Sequence, residues 1–134
     1  MLSSQPSKFE AHGEYAVEVK GDIINLVATG AWNLEAKQRV TVDLLSIVKE
    51  KALTRWLLLA DISGFELGTP DFEEAGVPSK LQLIEAGLRK VAYVNTGAEK
   101  TKISQLARMQ PELRGYNWCI FKSACVAKWW LRAA

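Results

Sequence analysis

Few residues of this chain have the chemistry to make or break bonds. His12 is the single histidine. It precedes the first patterned segment, so neither a serine nor a cysteine nucleophile has an imidazole base within the folded part. Cys119 and Cys125 are too few for a disulfide framework and show no metal-site spacing. Cys125 falls near a helix start, where a thiolate is favoured, and a small packing role competes with that reading. Asp61 ends the apolar run Trp56-Leu57-Leu58-Leu59-Ala60-Asp61-Ile62. It reads either as a general base or as the residue that orders the next loop through backbone hydrogen bonds. No glycine-rich phosphate loop with its lysine is present, and no Gly-x-Gly-x-x-Gly follows a strand. The expectation is a binding protein without catalytic residues, metal or cofactor.

The binding residues are expected where the central strand ends. In open α/β sheets the loops after the strands form the crevice that holds ligands. Asp61, Ser63, Phe65, Leu67 and Asn95 are the candidate ligand-binding residues. Phe65 and Leu67 put large apolar groups between glycines, where turns are normally polar, and either line a pocket mouth or tuck under the next helix. The second candidate region is the last helix. Adjacent Trp129 and Trp130 lie about 100° apart and cannot both face one seam. Lys122, Lys128 and Arg132 flank them, a pattern of aromatics and cations that suits an interfacial helix acting as a lid or membrane contact. A docked amphipathic helix with its second tryptophan in a groove is the competing reading.

These sites need a scaffold, and the periodicities supply one. Tyr15 to Val19 alternates as a half-wet strand, Gly21-Asp22 turns, and Ile23 to Thr29 is its hairpin partner. Gly30-Ala31-Trp32 leaves the sheet and Asn33 caps a helix over Leu34 to Lys51, with Val40, Leu44, Ile47 and Val48 inward and Lys37, Gln38, Asp43 and Glu50 outward. The run at Trp56 is short and unbroken, as in a strand buried on both faces. Thr69-Pro70 starts a helix that Gly76-Val77-Pro78 interrupts, and Gly87 ends it in the left-handed conformation. Val91 to Val94 is a strand, Ala98 to Met109 a helix, Tyr116 to Phe121 the last strand, and Ser123 caps Ala124 to Ala133. The order β-β-α-β-α-β-α-β-α predicts an α/β domain: one mostly parallel five-stranded sheet with an N-terminal antiparallel hairpin and about four helices. Residues 1–13 read as a flexible leader and 14–134 as the domain.

The chain has 134 residues and a formal net charge of +2, which hides a polarity. Up to Glu74 seven basic residues face twelve acidic ones; from Ala75 on, ten basic residues face three acidic ones. That suits an anionic partner or head-to-tail contact between copies, hence a homodimer. The basic residues are scattered and match no nucleic-acid motif, so nucleic acid is not the expected partner. Without a signal peptide or a run of about 20 apolar residues, the expected location is cytoplasmic, with peripheral contact at the inner membrane face.

Three stretches in order resemble a known family: Gly30-Ala31-Trp32-Asn33, the strand ending in Asp61, and Gly87 to Val94, followed by Phe121-Lys122-Ser123-Ala124 through Leu131. Over residues 14–134 the chain is similar to SpoIIAA-like proteins, relatives of the STAS domain that are grouped with CRAL-TRIO lipid carriers. The lipid-carrier side implies a small apolar or lipid-like ligand and an anionic membrane surface. The anti-anti-sigma side implies a protein partner and a serine phosphoswitch after the central strand. This chain departs from that signature: Ser63-Gly64 comes too early, leaving Thr69 as the phosphosite the resemblance would allow.

Overall fold

The computed structural model describes residues 12–97 and 99–133. Its elements are β1 (Glu14–Lys20), β2 (Ile23–Trp32), α1 (Leu34–Glu50), β3 (Trp56–Gly68), α2 (Pro70–Glu74), α3 (Gly76–Glu85), β4 (Leu88–Val94), α4 (Lys100–Arg108), β5 (Asn117–Phe121) and α5 (Ala124–Arg132). The strands form one sheet in chain order. β1 and β2 pair antiparallel and every later pair is parallel. The expected α/β architecture is observed, with the second helical region split at Gly76 into α2 and α3.

Each parallel connection steps one strand further in the same direction, so the right-handed crossover rule puts α1 to α4 on one face. Strand alternation sorts the side chains accordingly. Ile24, Leu26, Trp56, Leu58 and Ile62 join Leu44, Leu83 and Leu106 in the main core. Ile23, Leu57, Leu59, Ala92 and Val94 meet Ala127 and Leu131 of α5 on the second face. The double burial read from the Trp56 run is thus accounted for by helices on both sides of β3.

Local signals hold where the backbone chemistry is local. Asn33 Oδ1 accepts from Ala36 N at 3.0 Å, as a helix cap should. Ser123 caps α5 in the same way, accepting from Val126 N. Gly87 has φ +113°, and a Cβ there would come within 2.3 Å of the Thr54 carbonyl oxygen, so no other residue fits this helix exit. The leader expected over 1–13 lies outside the described residues up to residue 11. His12 and Gly13 belong to the domain: Asn33 Oδ1 also accepts from His12 N, and Gly13 packs under Trp32.

The strand ends differ from the sequence reading. Gly30-Ala31-Trp32 does not leave the sheet, and Asp61 is not a strand end. β3 parts from β4 at the Asp61–Val94 pair but continues beside β2 through Gly64 opposite Thr29, Phe65 opposite Gly30 and Gly68 opposite Trp32. Register shifts between Val27 and Thr29 and between Gly30 and Trp32 twist this two-stranded ribbon over the helices. Phe65 therefore turns inward, stacking within 5.7 Å of Phe72 and 6.3 Å of Trp32 between ring centres. Lys37 also departs from its expected outward position and is half-buried against the Phe72 ring.

Candidate functional site

Beyond Asp61 the ends of β3 and β4 diverge, and the gap is bridged by the chain itself. Asp61 Oδ1 accepts from Ser63 N at 3.0 Å, the loop-ordering role open to an aspartate at this place. Ser63 Oγ accepts from Thr96 N at 3.1 Å. Asn95 is buried and donates Nδ2 to Gly97 O. Lys102, reaching down from α4, donates to Asn95 Oδ1 at 3.1 Å and to the Ile62 carbonyl at 2.9 Å. Its charge is met by Glu99 at 3.5 Å. Asp61, Ser63 and Asn95 thus meet across one junction; Phe65 lies on the opposite face within the core, and Leu67 stands 45 % exposed.

The ribbon ends at α2. Exposed Thr69 is the N-cap: its Oγ1 accepts from Phe72 N at 3.4 Å and donates to Asp71. Gln105 of α4 holds Gly68 by both amide atoms, accepting from its N at 2.9 Å and donating to its O at 3.0 Å. Arg108 grips Glu73 with Nε and Nη2 at 2.8 and 2.9 Å, and these bonds hold the Glu73 carboxyl below the usual carboxylate range.

The terminal helix is seated rather than hanging. Trp130 is half-buried, 5.5 Å from the Phe121 ring, while Trp129 is 73 % exposed. The pair divides as helix geometry requires. Lys90 on β4 donates to the Trp130 and Ala133 carbonyls at 3.1 and 2.8 Å and lies over the Trp130 ring, satisfying the helix C-terminus. Lys122 and Arg132 are exposed and Lys128 half-buried. Four of the ten basic residues of the second half are engaged within the fold: Lys80, Lys90 and Lys102 by hydrogen bonds and Arg108 by Glu73. Among the described residues no helix is long and apolar enough to cross a membrane, and no group of three potential ligands could hold a metal ion.

Sequence reasoning missed one place altogether. Between the first face and helices α1 and α3 lies a cavity of about 80 Å³ lined by Leu26, Leu44, Leu58, Leu83, Leu106 and Tyr93, with Lys37 and Lys80 in its wall. Lys80 is 4 % exposed. It donates to Tyr93 Oη at 2.8 Å, Gln110 Oε1 at 3.0 Å and Tyr116 Oη at 3.5 Å. Burial pushes its ammonium down to about 7; burial, with Lys80 nearby, pushes Lys37 down to about 8. The signal was present: Gly76, Lys80 and Leu83 follow at helical spacing and share the buried stripe of α3.

No family model matches the sequence, and no curated protein resembles it significantly. Solved structures do match. A protein from Shewanella loihica PV-4 described as having a SpoIIAA-like fold aligns over 95 % of this chain and 99 % of its own, with TM-score 0.60 and 17 % identity. The anti-sigma factor antagonist SpoIIAA in its unphosphorylated form aligns over 90 % and 100 %, with TM-score 0.57 and 12 % identity. An anti-sigma factor antagonist from Mycobacterium paratuberculosis aligns over 90 % and 95 %, with TM-score 0.57 and 13 % identity. The strand order, the helix placement and these alignments agree on one conclusion: the chain has the SpoIIAA-like, STAS-type α/β fold.

Proposed function

We propose that this chain is a non-enzymatic STAS-type module that binds a protein partner through the far end of β3 and helix α2. The observation that carries the reading is exposed Leu67 beside exposed Thr69, on a ribbon held rigid by Gln105 and the Trp32–Phe65–Phe72 cluster. An apolar side chain on a fixed backbone costs little entropy to bury against a partner. The shared fold with two anti-sigma factor antagonists supports the same class of activity. Two alternatives have less support. A ligand crevice at Asp61, Ser63 and Asn95 would compete with the bonds these groups already accept from Ser63 N, Thr96 N and Lys102, and a membrane lid built on α5 would have to break the Lys90 contacts.

The partner contact is constitutive rather than switched at Thr69. A phosphoryl group there would gain from the helix N-terminus but would meet Asp71, to which Thr69 already donates, while Arg108 is taken up by Glu73. A photo-crosslinking residue at position 67, activated in the native host, tests both statements. An adduct to a protein is expected that the same probe at exposed Val42 on α1 does not give, and it survives Thr69→Glu. No adduct at 67 sinks the surface. An adduct lost with Thr69→Glu and kept with Thr69→Ala restores the phospho-regulated reading.

A further inference from the structure

The two edges of the sheet are built differently. β1 carries Glu14, Glu18 and Lys20 along its length, the charged trim that keeps an open edge from pairing. β5 reads Asn117-Trp118-Cys119-Ile120-Phe121, without a charge or a proline, and all but its first residue are half-buried. Asn95 N donates to Phe121 O at 2.8 Å across the parallel pairing of β4 and β5. By strand alternation the peptide groups of Asn117 and Cys119 also face β4, and those of Trp118 and Ile120 face away. No strand lies on that side among the described residues. The Ile120 carbonyl meets the Cys119 thiol at 3.9 Å, a weak contact.

Each face of this edge carries a hollow. On the side of the first face, about 470 Å³ is lined by Pro111, Leu113, Tyr116 and Trp118 with one charge of each sign, Glu112 and Arg114. On the side of the second face, about 620 Å³ is lined by Arg55, Arg89, Lys90, Cys119 and Trp130 among others, and no aspartate or glutamate is present. Lys90 there serves the end of α5. Arg89 gives Nη1 to the Ile84 and Leu88 carbonyls, which leaves its Nε and Nη2 hydrogens for another acceptor. Arg55 is exposed and pairs with no carboxylate among the described residues. An extended chain laid along an edge bonds through its backbone and sends alternate side chains to opposite faces. Here one of those faces offers unpaired guanidinium donors and the other offers aromatic and aliphatic surface.

We propose that β5 is a docking edge for an extended acidic segment of a protein partner, which adds to the five-stranded sheet as a further strand. Its backbone bonds the outward N–H and C=O groups of Trp118 and Ile120. One of its carboxylates enters the second-face hollow beside Arg55 and Arg89, and the apolar side chains before and after that residue lie against Trp118 and Leu113. A basic segment would meet three cations in the same hollow. A second copy of the chain offering its own β5 would set those cations against each other. The Leu67 surface shares no residue with this edge, and either can stand without the other.

Isotope-labelled protein titrated with a short peptide that alternates valine with glutamate, and with its valine–lysine counterpart, tests the edge by amide NMR. With the glutamate peptide, saturable shifts and slowed hydrogen exchange are expected at the Trp118 and Ile120 amides, while the amides of β1 stay as they were. The lysine peptide is expected to leave all of them unchanged. Arg55→Glu, at an exposed position, is expected to weaken binding of the glutamate peptide by about tenfold or more. Absence of slowed exchange at Trp118 and Ile120 with the glutamate peptide overturns the docking edge. Equal binding of the two peptides, or no effect of Arg55→Glu, overturns the acidic assignment and with it the proposal. Protection of the same amides that rises with protein concentration before any peptide is added gives the edge to a second copy and overturns the proposal too.

Discussion

Lys102 and Lys80 are both buried, at 3 % and 4 % exposure, yet the regions around them are built differently. Lys102 is given a backbone carbonyl, an amide oxygen and the Glu99 carboxylate, and with them it ties α4 to the diverging ends of β3 and β4. Lys80 is given two phenols and an amide, all neutral, and faces empty apolar space. A buried cation is expensive unless its charge is met. Where the fold supplies the counter-charge, the lysine is a strut. Where it supplies only dipoles, burial pushes the ammonium down to about 7, and the lysine can shed its charge instead.

The difference can be broken most directly at Lys102. Lys102→Met leaves the Ile62 carbonyl and Asn95 Oδ1 buried without a donor, and a loss of about 3 kcal/mol in urea unfolding is expected. Lys80→Met leaves Gln110 and Tyr93 still bonded to Tyr116 and to each other, so its cost is expected within about 1 kcal/mol. Equal losses from the two substitutions would erase the distinction.

The next largest effect is the pH dependence. Lys80 titrates near 7 and Lys37 near 8 in the folded chain, against 10.5 for an unburied lysine. Between those values the unfolded chain holds more protons, so stability rises with pH, by at most about 1.4 kcal/mol per pH unit for each lysine. Above pH 10 the sign reverses, because burial pushes Tyr93 and Tyr116 upward and the unfolded tyrosines ionise first. Urea midpoints from pH 6 to 11 are expected to peak well on the alkaline side, with the rise reduced in Lys80→Met. A peak at pH 6 would mean the cavity cations are already paired.

A smaller effect is expected at Lys90, which holds the end of α5. Lys90→Met removes two hydrogen bonds and a ring contact, for a local loss of about 1 kcal/mol. It is expected to speed amide exchange in α5 while β3 is unchanged. Wild-type α5 exchanging as fast as the variant would favour a mobile lid. The smallest change is Asp61→Asn, which keeps the acceptor used by Ser63 N and is expected to cost less than about 1 kcal/mol. A large loss there would give Asp61 a role beyond ordering the turn.

Much of the fold was legible because its signals are short-range. A cap such as Asn33 or Ser123, and an exit such as Gly87, act within a turn of their own position, so residue type alone reveals them. The continuation of β2 and β3 past Asp61 was not legible, because its hydrogen bonds join residues more than thirty apart. Glycine at 30, 64 and 68 reads locally as loop and is here the condition for a tight ribbon. The Lys80 site was hidden by the general rule that lysines face water, although its helical spacing from Leu83 said otherwise. Asp61 could be read from sequence either as a general base or as a residue that orders the loop, and Lys102, which bonds Asn95 and Ile62 beside it, lies on a helix read only for its ends.

The grip of Gln105 on Gly68 has a consequence for how copies of the chain meet. Past Asp61, β3 has lost β4, and that side of the strand is an edge onto which a foreign strand could grow. A glutamine amide has the donor and acceptor of a peptide group, and here it occupies the last rung as a false strand one residue long. The ribbon is thereby protected from self-templated aggregation at its most open point while its Leu67 side stays free.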